Sequence, residues 1–201
     1  MAAPASSADL TKPALVLASS SPRRRDLLAR IGASPDRICS PDIDESPLKG
    51  ELPRAYALRL ARAKAAAVDR HAGEIVLAGD TTVALGRRIL PPAESETIQR
   101  KLLSLISGRR HRCISAVCVI DAEGTARTRV VETVVIFKRL SEAEIDAYVA
   151  SGEGLGKAGG YAIQGRAEAL IRQVSGSHSG VIGLPLFETR ALLKAAGLPL
   201  G

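Results

Sequence analysis

Residues 14–28 read ALVLASSSPRRRDLL, and this stretch decides the fold. Residues 14–18 are a short, wholly apolar run, the pattern of a buried strand. Ser19, Ser20, Ser21 and Pro22 follow, with Ser21 placed to cap a helix and Pro22 in its first turn. Arg23, Arg24, Arg25 and the leucines behind them continue that helix, and Gly32 stops it. Strand, polar turn and helix in succession also outline an anion site. First-turn amides lack internal partners, the helix dipole adds partial positive charge, and Arg grips phosphate oxygens two at a time. An ordinary capped helix with a solvated Arg cluster explains the same residues, so the pattern alone leaves both readings open.

Outward from this unit, strands and helices keep mixing. A polar loop carries the acidic pair Asp44 and Glu45. Residues 51–70 read as a long helix rich in Ala and Arg. Residues 75–78 read as an apolar strand ending at Gly79-Asp80-Thr81-Thr82. Residues 83–85 and 89–90 flank Gly86-Arg87 as a hairpin. Residues 94–106 have helical spacing, and 113–120 and 126–137 read as strands joined by the turn at 121–124. Ser141 and Glu144 form a capping box for a helix reaching about residue 150. A Gly-rich loop covers 152–165, then a strand at 169–174 and a final helix at 184–196. The expected class is α/β: a mixed, twisted sheet flanked by helices. Residues 1–13 read as a flexible tail and 14–201 as a single catalytic domain, built as one lobe or as two around a central cleft.

Composition narrows the function. The chain has 201 residues, 46% hydrophobic and 24% charged, which excludes disorder and fibrous repeats. A chain this long buries roughly 70% of its unfolded surface and needs no staples. No apolar run approaches the roughly 18 residues of a membrane span. The start lacks a basic n-region, against a signal peptide. Three cysteines, Cys39, Cys113 and Cys118, form no paired framework and no metal spacing, so a cytoplasmic protein with reduced thiols is the simpler reading. The net charge of +7 points to an anionic partner. With two Phe, three Tyr and no Trp, a base-stacking nucleic-acid surface is poorly supplied, and a small phosphorylated ligand fits better.

Three pattern matches fail on inspection. Residues 154–159 satisfy G-x-G-x-x-G, but they follow a helix rather than a strand. The same stretch lacks the first Gly and the metal-binding hydroxyl of a Walker A loop. Residues 176–180 resemble a nucleophile elbow with His178 in the nucleophile slot. His71, His111 and His178 lack zinc-ligand spacing and read as surface or loop residues. Asp80 is the stronger signal. An unpaired carboxylate closing an apolar strand is costly, and ligands of α/β sheets gather at strand carboxyl ends, so a metal ion or catalytic water would explain it; a capping or turn Asp is the plainer alternative. Glu45 is a candidate second acid, and magnesium commonly takes one or two carboxylates plus substrate phosphates.

Taken together, LVLASSSPRRRDLL at 15–28, Asp44-Glu45, RLARAKA at 59–65, AGDTTV at 78–83, SGRRH at 107–111, YVASGEGLGKAGGYAIQG at 148–165 and VIGLPL at 181–186 closely resemble the Maf family of nucleoside triphosphate pyrophosphatases, in the Maf and inosine-triphosphatase fold group. The resemblance spans about residues 14–197. It implies hydrolysis of a nucleoside triphosphate to monophosphate and pyrophosphate with a divalent cation, Mg2+ or Mn2+. Arg23, Thr81 and Gln164 match the subgroup acting on UTP and dTTP rather than on 7-methyl-GTP. By the same resemblance Asp80 is the proton acceptor and Glu45 a metal-site acid, with Asp80 and Glu45 the two metal ligands. Lys64 is a catalytic-region lysine. Ser19, Ser21, Arg23, Arg24 and Lys157 contact phosphate, and Thr81 and Gln164 read the base. A homodimer without nucleic-acid or membrane partners is implied. One departure stands out: where the family carries a lysine after the hairpin, this chain has Pro91-Pro92. The departure implies weak turnover, with a nucleotide-binding regulatory protein of cell division as the alternative, and it leaves Arg88 or Lys157 as substitutes for the missing cation.

Overall fold

The computed structural model describes residues 13–201; the start without a basic n-region and all but the last residue of the expected tail fall on residues 1–12, outside the described residues. A single seven-stranded sheet organises the chain. Its strands are β1 (Ala14–Ala18), β2 (Arg37–Cys39), β3 (Glu74–Leu85), β4 (Arg88–Leu90), β5 (Arg110–Ile120), β6 (Ala126–Phe137) and β7 (Ile171–Ser175), in the order β2-β1-β3-β5-β6-β7 with β4 also on β3. The β2-β1-β3 pairings are parallel and the rest antiparallel. This is the mixed α/β sheet that the sequence implied.

Side-chain alternation gives the sheet two apolar faces. Leu15, Leu17, Ile75, Leu77, Val117 and Val119 lie on one face. That face is covered by α1 (Pro22–Ala29), α3 (Glu96–Ile106), α4 (Glu142–Ala150) and α6 (Leu186–Ala195). Val16, Ala18, Val76, Ala78, Ala84 and Ala116 lie on the other, under α2 (Pro53–Ala66) alone. The buried stripe of α2 includes Ala57, Ala61 and Ala65, which meet the small side chains of the sheet. Alanine against alanine lets helix and strand approach closely. That brings Lys64, in the last turn of α2, down to β3. No helix among the described residues is long and apolar enough to cross a membrane.

Several expectations are corrected. Residues 75–78 are not a complete strand: β3 continues to Leu85, because β5 pairs it from Val76 to Ala84. Asp80 is therefore in the middle of a strand. The polar loop before Asp44 contains β2, at three residues too short to show a period; it is held by Arg37, which pairs with Glu74 at 2.6 Å. The long helix runs from Pro53 to Ala66 rather than over 51–70, and Glu51 instead clamps Arg59 at 2.8 Å. Ser21 is the residue before α1 but its side chain makes no cap. The last strand begins at Ile171, after a 3-10 turn, Arg166–Leu170. The final helix expected over 184–196 is α6, and a short helix before it, α5 (His178–Ile182), went unread.

His111 is also corrected. It is a core residue, 2% exposed, on β5. Its Nε2 lies 2.8 Å from the Tyr161 hydroxyl, and it packs on Phe137 and Tyr161. Its Nδ1 is buried with no partner among the described residues. Burial pushes the imidazole down to about 4. The unfolded chain, with histidine near 6.5, takes up the proton first as pH falls. The contribution of His111 is thus complete above that value and lost between about 6.5 and 4. Urea denaturation at pH 7 and pH 5 is expected to show a loss of about 2 kcal/mol in the wild type. His111→Gln should remove most of that difference. An equal loss in the variant contradicts this account.

Candidate active site

The site begins with an uncovered strand edge. On one edge of β3, β1 pairs with residues 74–77 and β4 with residues 83–85. The opposite edge is taken by β5 from Val76 to Ala84, so β1 and β4 must share the first edge. Residues 78–82 lie in the interval between them. Asp80 thus sits beside the carboxyl end of β1, where the turn at Ser19 leaves the sheet. The strand-end rule applies to Asp80 through its neighbour β1, not through its own strand.

Alternation sends neighbouring side chains of this interval to opposite faces. Asp80 and Thr82 point to the α2 face, where the Thr82 hydroxyl donates to Asp80 Oδ2 at 2.9 Å. Lys64 Nζ donates to Asp80 Oδ1 at 3.0 Å and lies 2.9 Å from Glu45 Oε1. Asp80 is 6% exposed, whereas the Glu45 side chain is half exposed. The loop that presents Glu45 is tied down by the Tyr56 hydroxyl, which donates to the Glu45 carbonyl at 2.8 Å. Asp44 is used locally, accepting from Ser46 N at 2.8 Å.

The turn after β1 faces the same place, and some of its amides are already bonded. Pro22 has no N–H, Ser21 N donates to Ser19 Oγ, and Arg24 N and Arg25 N donate to the Ser21 carbonyl. The Arg23 and Arg24 guanidinium groups add further donors at this turn. Arg24 Nη1 donates to Ser19 Oγ at 2.9 Å and its Nε to the Gly183 carbonyl at 3.1 Å. Burial lowers the Arg24 pKa, and nearby Asp80 pushes it back up. Arg23 donates from Nε to the Ile182 carbonyl at 3.4 Å. Gly79 makes room: a Cβ there would stand 2.9 Å from Leu184 Cδ2 and 3.5 Å from Arg24 Nε.

On the other face, Thr81 Oγ1 donates to the Gly183 carbonyl at 3.3 Å. A cleft here is lined by Ser21, Arg23, Arg24, Asp80, Thr81, Pro92, Lys157, Tyr161 and Gln164, among others. A second hollow shares Ser21, Arg23 and Arg24 and adds Ser19, Glu45 and Lys64. Asp80, Lys64, Glu45, Ser19, Ser21, Arg23, Arg24, Thr81, Lys157 and Gln164 each line one of two adjoining hollows. The Gly-rich stretch is a tightly folded loop. Gly156 N donates to the Ala93 carbonyl at 2.9 Å and Gly159 N to the Pro91 carbonyl at 3.2 Å. A Cβ on Gly154 would meet the Gly160 carbonyl at 2.1 Å, which explains its glycine without any dinucleotide. These bonds set Lys157 against Pro92 at the cleft wall. Burial and the charge of Arg23 lower the Lys157 pKa. Arg88 is exposed on β4 and does not line the cleft. Thr82 and the Gly183 carbonyl went unread in the sequence. The first follows from the i, i+2 spacing once β3 is extended; the second, a backbone group, leaves no residue-type signal.

A family model described as Maf-like protein matches residues 14–196. A relative from Sphingopyxis alaskensis, named dTTP/UTP pyrophosphatase, is 68% identical over 94% of this chain and 100% of its own. A second with the same name, from Novosphingobium aromaticivorans, is 62% identical over 92% of this chain and 93% of its own. The solved Ham1 protein of Staphylococcus aureus is 14% identical, with a TM-score of 0.46 over 90% of this chain and 98% of that one.

Proposed function

The chain belongs to the family of Maf-like proteins, and on that premise we propose that it hydrolyses dTTP and UTP to the monophosphate and pyrophosphate. The relatives' names support the substrates. The observation that carries the chemistry is the buried Asp80, held between Lys64 and Thr82 at the edge interval, opposite the two guanidinium groups of the Ser19–Arg24 turn. A phosphate chain lying along Arg23 and Arg24 brings its α-phosphorus towards Asp80. Asp80 orients a water and accepts its proton as the water oxygen attacks. Lys64, Arg24 and Lys157 neutralise the charge that develops on the phosphate oxygens. The base is read on the other face, by the Thr81 hydroxyl and the paired donor and acceptor of the Gln164 amide.

Among the described residues no group of three or more His, Cys, Asp or Glu side chains converges as a metal site. The donor set nevertheless fits a divalent cation. Glu45 and Asp80 reach a common point, marked by Lys64 Nζ, and both present hard oxygens. A Mg2+ or Mn2+ ion held by these two carboxylates would draw its other ligands from water and the triphosphate. When bound, such a cation supplies charge neutralisation on the leaving pyrophosphate. The odd, unspaced set of three cysteines supports a cytoplasmic setting, and the family resemblance supports a homodimer without nucleic-acid or membrane partners.

Lys157 answers the proline at position 92. It lines the same cleft as Pro92 and Arg23, which supports it as the substitute for the missing cation. The names of the relatives favour a working enzyme over the regulatory alternative.

Incubation with UTP, dTTP and Mg2+ is expected to give UMP or dTMP with pyrophosphate as first products. Asp80→Asn should lower kcat by about 10²–10⁴-fold. First products of UDP and orthophosphate, or a variant within threefold of wild type, contradict the reading. Lys157→Ala is expected to lower kcat at least tenfold and Arg88→Ala to leave it within twofold. The reverse pattern would assign the substitute cation to Arg88.

A further inference from the structure

We infer that Lys64 fills the divalent-cation position of the free enzyme, so that metal enters only with the nucleotide. The inference rests on the proposed activity and adds an order of assembly to it. Three observations carry it. First, the protein offers a metal just two carboxylates here, Glu45 and Asp80, and no third acid, His or Cys joins them among the described residues. Second, the point both carboxylates can reach is already taken. Lys64 Nζ is 2.9 Å from Glu45 Oε1 and 3.0 Å from Asp80 Oδ1. Third, neither Asp80 nor Lys64 has much solvent to turn to. Their side chains are 8% and 12% exposed, and the other Asp80 oxygen already accepts from Thr82.

A second cation cannot share that point with an ammonium. Like charges a few ångströms apart repel strongly where water is scarce. Lysine is also a cation on a flexible four-carbon stem, able to move its charge without moving the helix. The hollow that contains Lys64 and Glu45 is lined as well by Ser19, Arg23 and Arg24. A triphosphate chain drawn in by those arginines offers Lys64 a new anionic partner at short range. As Lys64 turns to the phosphates, Asp80 Oδ1 and Glu45 Oε1 are released together, and the phosphates complete the cation's ligand set. Lys64 thereby works as a placeholder that keeps the buried Asp80 compensated while no substrate is present.

Mn2+ binding, followed by the electron paramagnetic resonance signal of the free ion, tests this without turnover. Without nucleotide, Lys64→Met is expected to bind Mn2+ at least tenfold more tightly than wild type. Lys64→Arg, which keeps the charge, should bind as weakly as wild type. A non-hydrolysable α,β-methylene analogue of UTP should raise the wild-type affinity at least tenfold, after correction for the analogue's own chelation. Lys64→Met no tighter than wild type overturns the inference. Should Lys64→Met fail to fold, the wild type decides alone: equal Mn2+ affinity with and without the analogue overturns it. UTP turnover is scored separately, and its absence contradicts the proposed activity without altering the metal contrast.

Discussion

Strand β3 is twelve residues long, and its two neighbours on one edge cover only its ends. β1 arrives parallel and leaves at Ala18, while β4 folds back antiparallel from Arg88. The interval between them is the constraint on which the rest depends. A strand paired on both edges throughout would seal the sheet. Here the sheet is open at Asp80, and the turn after β1 is delivered to the opening by the pairing of β1 itself. Because side chains alternate, the opening joins two faces. Asp80 and Lys64 occupy one and Thr81 the other, a single step along the backbone, and Arg24 joins Thr81 at the Gly183 carbonyl.

Charge at this opening is balanced rather than merely positive. A carboxylate as buried as Asp80 is costly unless it is compensated, and Lys64 and Thr82 compensate it. Arg24 is in turn stabilised by Asp80 against its own burial. Removing one of these groups disturbs the others, so single substitutions here are not expected to add. Small residues make the arrangement possible. The alanine stripe of α2 brings Lys64 to the sheet, and Gly79 admits Leu184 and Arg24 to the opposite face.

Much of the fold was legible because strong local signals agree. The apolar run at 14–18, the glycine at 32 and the capping box at Ser141 each report a boundary that chain-local chemistry sets. The failures have a common cause: contacts distant in sequence. β3 reads as ending at Ala78 because Gly79 and Asp80 are weak strand formers, yet the pairs with β5 from Gly79 to Ala84 carry it onward. β2 has no period of its own and exists through β1 and the Arg37–Glu74 pair. His111 looks like a surface residue among arginines until β5 turns it into the aromatic core. The candidate site residues were named by their motifs, but their division between two faces became visible only with the register of β3.

The role of Asp80 turns on where water attacks. Hydrolysis of UTP in water enriched in oxygen-18, followed by mass spectrometry of both products, locates the attack directly. Asp80 at the edge interval, opposite Arg23 and Arg24, predicts one labelled oxygen in UMP and none in pyrophosphate. Label in the pyrophosphate, with unlabelled UMP, would place the attack at the β-phosphorus and contradict the role given to this opening in the sheet.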